Sequence, residues 1–182
     1  VVRSQSETHV NGHNPLIMGV MWPKSTRMID AATGNITIQN AAIEIGPSLT
    51  RDDFLDSALG RNAPINVENE PYCSYNVHVP ADELMSLPAG LTLYFYHQQL
   101  ESVFIVAADD RFGASWDDWS EAKELERKRF HDQWLADTAG SANAQFPWGQ
   151  LSSDYDAKSG FSAIHLQYSW QGKAWKPTTT AT

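Results

Sequence analysis

The stretch Leu91-Thr-Leu-Tyr-Phe-Tyr96, His97-Gln98-Gln99, Leu100-Glu-Ser-Val-Phe-Ile-Val-Ala107 decides the fold. Two runs rich in β-branched and aromatic residues flank a short polar turn, which is the pattern of a β-hairpin. Side chains alternate along a strand, so Leu91, Leu93 and Phe95 share one face and Thr92, Tyr94 and Tyr96 share the other. An apolar sheet face needs a cover, and the next segment can supply it. Ser115 and Asp118 have capping-box spacing, and the helical pattern after them runs to about Asp137, before Gly140. At 100° per residue, Trp116, Trp119, Ala122, Phe130 and Trp134 fall within one stripe about 120° wide. This predicts a long helix laid across the sheet. Lys123, Glu126 and Arg127 fall on or beside the stripe. They are expected to lay their stems over apolar surface and keep their charged heads in water, since burying unpaired charge is costly.

Working outward, Ile65 to Val79 is β-prone with a break at Pro71, and Trp148 to Ser153 with Phe161 to Trp170 forms a second hairpin around the turn Asp154 to Gly160. Met28-Ile29-Asp30 and Ile36-Thr37-Ile38-Gln39 flank a Gly34-Asn35 turn, and Ile43-Glu44-Ile45 is another short strand. Leu16 to Trp22 could be a strand, stopped by Pro23. A short first helix of about ten residues is marked by Thr50 and Asp53 at its start, with Gly60 fitting the left-handed position after it. The expectation is one α+β domain over residues 25–172, an antiparallel β-sheet packed against one long and one short α-helix. An irregular N-terminal arm (1–24) precedes it and a frayed tail (173–182) follows.

Composition agrees with that size. The 182 residues are 42% hydrophobic and include 7 Trp, which is enough to build a core. No apolar run approaches the length of a membrane span. A net charge of -9 argues against binding nucleic acid, whose phosphates would repel it. The acidity is local: residues 44–137 hold 18 of the 22 acids and 7 of the 13 bases. Its dense spots are Asp52-Asp53, Asp82-Glu83, Asp109-Asp110 and Asp117-Asp118. Such a segment is either a solvated face or a docking surface for a basic partner.

Signals of catalysis are weak. Cys73 lies in a β-prone stretch with no glycine elbow, and a lone Cys is more often a small buried hydrophobe than a nucleophile. The six His residues form no HxH or HExxH pair, although His78, His97 and His165 could meet in space. Asp154-Tyr-Asp-Ala-Lys158-Ser-Gly160 departs from a calcium loop, because Lys158 stands at an oxygen-ligand position and Gly160 comes one place late. No cofactor, metal or catalytic residue is expected on this reading.

Ile43-Glu-Ile-Gly-Pro-Ser-Leu-Thr-Arg-Asp-Asp-Phe54, Glu70-Pro-Tyr-Cys-Ser-Tyr75, Leu91-Thr-Leu-Tyr-Phe-Tyr96, Arg111-Phe-Gly-Ala-Ser-Trp-Asp-Asp-Trp-Ser120 and Pro147-Trp-Gly149 with Ser153-Asp-Tyr-Asp-Ala-Lys-Ser-Gly160 together resemble a group of small bacterial proteins of unassigned function. The resemblance spans roughly residues 28 to 168 and brings no catalytic assignment with it. Proteins of this kind are similar to immunity proteins, which protect a bacterium from toxins delivered to rivals. Gly46, Thr50, Phe54 and Leu59-Gly60 are also loosely similar to the helical opening of small outer-membrane-assembly and β-lactamase-inhibitor folds, with one extra residue before Leu59-Gly60.

The resulting expectation is a non-enzymatic protein-binding protein, an immunity protein that neutralises a cognate secreted toxin by direct binding. A basic toxin suits the acidic segment. The partner-binding residues expected are Asp109, Asp110, Asp117, Asp118, Tyr94 and Tyr96. The alternatives are a hydrolase with a spatially assembled site drawn from Asp109, Asp110 or His97, and a cell-envelope lipoprotein or assembly factor. The expected compartment is the cytoplasm, or the periplasm if a leader has been removed.

Overall fold

A computed structural model describes residues 28–113 and 115–169. The arm 1–24 with its Leu16–Trp22 run, the tail 173–182, and the histidines His9 and His13 lie outside the described residues.

The deciding hairpin forms as its alternation dictates. Strand β5 (Ala89–Tyr96) and β6 (Gln99–Ala107) pair antiparallel around a turn at His97-Gln98. They sit at the middle of a seven-stranded antiparallel sheet of order β3-β4-β5-β6-β9-β8-β7. The other strands are β3 (Ile65–Asn69), β4 (Tyr72–Val79), β7 (Ala144–Phe146), β8 (Gly149–Asp156) and β9 (Phe161–Tyr168). Register aligns the apolar alternation across strands: Val77 faces Leu91, Leu91 faces Ile105, and Ile105 faces Ile164. One sheet face is therefore continuously apolar and buried, running from Tyr75 and Val77 through Leu93 and Val103 to Leu166 and Leu151. The protein is thus a single α+β unit across the described residues.

Two helices of unequal length and a small sheet cover that face. The small sheet pairs β1 (Ile36–Thr37) with β2 (Glu44–Ile45), and an Ile29–Ile36 bridge completes the expected turn around Gly34. Aromatic donors clamp this turn to the main sheet: Trp148 Nε1–H donates to Ala31 O at 2.9 Å, and Tyr168 OH to Gly34 O at 3.0 Å. Helix α1 (Arg51–Asp56) begins as read, with the Thr50 hydroxyl oxygen accepting the Asp53 N–H at 3.1 Å. It sets Phe54 against Tyr75 and Phe95, with ring centroids 5.5 and 5.7 Å apart. It is shorter than expected. Gly60 is not left-handed; it is needed for space, because a Cβ there would sit 2.0 Å from Phe54 O.

Helix α2 (Glu121–Ala139) lies over β9, β8 and β6 and ends at the left-handed Gly140. Its start corrects the sequence reading. Ser115 makes no side-chain cap bond and precedes only a 3-10 turn, Trp116–Asp118, while the true cap is Ser120, which accepts the Lys123 N–H at 3.3 Å. The buried stripe also differs from the expected one. Glu124, Arg127, His131, Leu135 and Thr138 face the sheet, at the three- and four-residue spacings of a helix face. Trp116, Trp119 and Ala122 are exposed, and Phe130 and Trp134 are half-buried. Arg127 does not snorkel: its head is buried and paired. Glu126 is exposed and Lys123 half-buried. Among the described residues no helix is long and apolar enough to cross a membrane.

Candidate functional site

After β6 ends at Ala107 the chain must turn from the sheet up to α2, and this connection builds a cleft. The Asp109 carboxylate accepts the Arg111 N–H at 3.0 Å and starts a 3-10 turn, Asp110–Phe112, whose Phe112 drops into the core. The second 3-10 turn then presents Trp116 to solvent at 80% exposure. Trp119 leaves this turn in extended conformation (ψ 140°) and donates its indole N–H to Gly160 O at 2.7 Å. That bond ties the start of α2 to the β8–β9 turn and brings Phe161 alongside. The result is a cleft of about 310 Å³ lined by Phe112, Gly113, Ser115, Trp116, Trp119, Glu124, Arg127, Gly160 and Phe161.

The floor is polar and mostly paired, with Arg127 Nε left without a hydrogen-bond partner among the described residues. Arg127 Nη1–H donates to Glu124 Oε1 at 2.6 Å, with the two side chains only 7% and 3% exposed. The second guanidinium arm donates to Phe112 O at 3.2 Å, and Glu124 Oε2 accepts the Ser162 N–H at 2.9 Å. The Arg127 guanidinium also lies over the Phe112 and Phe161 rings, 5.5 and 5.4 Å from their centroids. One turn on, His131 Nε2 accepts the Ala107 N–H at 3.0 Å, which makes the imidazole neutral with its proton on Nδ1. Burial first, and then the Arg127 charge, lower its pKa to about 4.

The rim is acidic. Asp109 lies 3.7 Å from Arg111, and Asp118 pairs with Lys123, whose Nζ also donates to Asp118 O at 3.0 Å. Asp110, Asp117 and Glu121 are exposed and make no ion pair among the described residues. The four aspartates expected from the sequence lie on or next to the two 3-10 turns that also carry Phe112 and Trp116 of the cleft lining. Tyr94 and Tyr96 are not with them. They stand on the opposite sheet face, at or near the far end of β5, where Tyr94 meets Phe104 and Tyr96 meets Tyr72. The expected six-residue set is two separate places.

The other candidates are dispersed. Cys73 is buried, and burial raises its thiol pKa. His97 is at the β5–β6 turn, a full strand length from Asp109 and Asp110, so the Asp/His constellation does not assemble from these residues. His165 is stacked on Phe104 at 4.2 Å and its pKa is lowered by burial. His78 lines a second cleft of about 240 Å³ with Ile38, Leu59 and Glu83. Among the described residues no three His, Cys, Asp or Glu side chains are grouped to hold a metal. The turn expected over residues 154–160 is shorter: residues 154–156 continue strand β8 by pairing with β9, and only residues 157–160 turn, with Asp156 Oδ1 accepting the Lys158 N–H at 2.9 Å.

Sequence reasoning missed Phe161 and the Glu124–Arg127 pair. One signal for the pair was present: Glu121 to Ala139 is too polar all round for a purely apolar stripe to bury it. Nothing local pointed to Phe161, which reaches the cleft through strand pairing.

No family model matches the chain, and no curated protein matches it in sequence. Among solved structures, the fold is similar to that of a chain in the complex of Rhs1-CT with its cognate immunity protein RhsI1. The TM-score is 0.53 at 13% identity, over 77% of this chain and 85% of that one.

Proposed function

We propose that this chain is an immunity protein that neutralises a cognate toxin by direct binding, without catalysis of its own. The observation that carries this reading is the likeness of fold to a chain of the Rhs1-CT–RhsI1 complex, together with its high mutual coverage. Fold alone does not assign a function, so the site has to agree with it. It does so in kind. The cleft at the start of α2 is walled by exposed aromatics, and the turns and helix start beside it carry the exposed carboxylates Asp110, Asp117 and Glu121, which are the features of a steered protein interface. Glu124, a carboxylate in its lining, has both oxygens engaged and is poorly placed for proton transfer. A basic toxin suits the rim, and the cytoplasm is where such a protein would intercept one.

The test is co-expression with the product of the adjacent gene. Growth should be rescued, and the two proteins should co-purify as a complex. Growth arrest caused by this chain alone, or no rescue and no complex, overturns the reading.

A further inference from the structure

We propose that the cleft between Trp116, Trp119 and Phe161 is an anchor pocket for a lysine or arginine side chain of the partner protein. The inference deepens the immunity reading and rests on it for the identity of the partner, but the chemistry of the pocket is testable apart from it. Three observations converge. The first is aromatic exposure: Trp116, Trp119 and Phe161 are 80%, 40% and 43% exposed, and together they wall one concavity. Exposed aromatic surface gathered in a cleft marks a contact site. The second is preorganisation. The Trp119 indole N–H is held by Gly160 O, so this ring has no orientation to lose on binding. The third is charge. The Arg127 charge beneath the pocket is paired with Glu124, although its Nε has no hydrogen-bond partner, whereas Asp110, Asp117 and Glu121, on the turns and helix start that carry part of the lining, are exposed and make no ion pair among the described residues.

A cation satisfies the rings and the rim at once. It meets the negative faces of the aromatic rings and the uncompensated carboxylates, whereas an anion would be repelled by both. Phe161 already accepts a guanidinium on one side, from Arg127. A purely apolar side chain would gain from the walls and nothing from the rim, so charge is the discriminating variable.

The experiment titrates the full chain with N-acetyl-arginine amide and, separately, with uncharged N-acetyl-norleucine amide, following the tryptophan indole N–H resonances. Saturable shifts of Trp116 and Trp119 with the arginine amide, about three-fold or more tighter than with norleucine, are expected. Trp116→Ala should abolish the binding and Asp117→Asn should weaken it. Trp116 is largely solvent-exposed, so its loss should leave the fold intact. Equal response to the two amides, or no saturable shift, overturns the pocket. In parallel, Trp116→Ala is measured against the adjacent gene's product. An unchanged Kd there removes the pocket and leaves the immunity reading standing. Arginine-amide binding with no complex removes the immunity reading and leaves the pocket standing.

Discussion

Thr50…Asp53 and Ser115…Asp118 have the same spacing and nearly the same chemistry, yet only the first starts an α-helix. At Thr50 the surroundings agree with the local signal. The backbone bridges to Gln99, the Arg51 N–H donates to Gln98 O at 2.9 Å, and the Asp52 N–H donates to the Gln98 side chain at 3.1 Å. The unsatisfied N–H groups of the first turn are therefore taken up by the β5–β6 turn. At Ser115 a competing contact prevails: Trp119 is pulled into extended conformation by its bond to Gly160, and the helix must restart at Ser120. A cap is a proposal by the local sequence, and tertiary contacts decide whether it is accepted.

The two helices also differ in how they bury an arginine, and this difference gives the largest expected effect. Arg51 donates to Tyr75 OH at 2.8 Å and pairs with the exposed Glu70 at 3.1 Å, whereas Arg127 is sealed against Glu124. Glu124→Ala leaves a buried guanidinium unpaired and should cost about 3–5 kcal/mol in urea unfolding. Arg51→Ala, which removes a partly solvated pair, should cost about 1 kcal/mol. Equal losses would erase the distinction.

The next effect is pH-dependent and belongs to α2. The unfolded chain protonates His131 near pH 6.5, the folded chain only near 4. The folded state therefore binds fewer protons in that window, and stability falls as pH drops through it. The loss from pH 7 to pH 5 should be about 2 kcal/mol, with the lowered His165 adding in the same direction. His131→Gln, which keeps an acceptor for the Ala107 N–H, should flatten the slope. An unchanged slope would place the titration elsewhere.

The smallest effects test the caps themselves. Thr50→Ala should destabilise by about 1 kcal/mol, while Ser115→Ala should stay within about 0.5 kcal/mol because no cap bond is lost. Ser120→Ala should behave like Thr50→Ala. A large loss at Ser115 would mean that the 3-10 turn depends on that hydroxyl.

Legibility followed the range of the interaction. The hairpin Leu91–Ala107, the break at Pro71, the Thr50 cap and the burial of Cys73 all follow from neighbours in the chain. The acidic loop was legible as a place because Asp109, Asp110, Asp117 and Asp118 are close in sequence. Its pairing with Tyr94 and Tyr96 failed because strand alternation sends those rings to the far face. The buried stripe of α2 failed for a different reason: it was anchored on Trp116 and Trp119, which precede the helix, and the face that is buried carries the polar Glu124, Arg127 and His131, which an apolar pattern does not find.

By itself, then, the sequence determined every main-sheet strand but β7, their apolar face and where negative charge concentrates, since alternation and charge are properties of short segments. Tertiary structure alone decided which serine caps α2, that Glu124 and Arg127 could be buried, and that Trp116, Trp119 and Phe161 share a cleft. Each of these depends on the β8–β9 hairpin. The Trp119–Gly160 bond spans 41 residues and the Glu124–Ser162 bonds span 38. Withdrawing a polar group from water is costly unless a partner is in place, and the partners of Glu124 arrive with the assembled sheet.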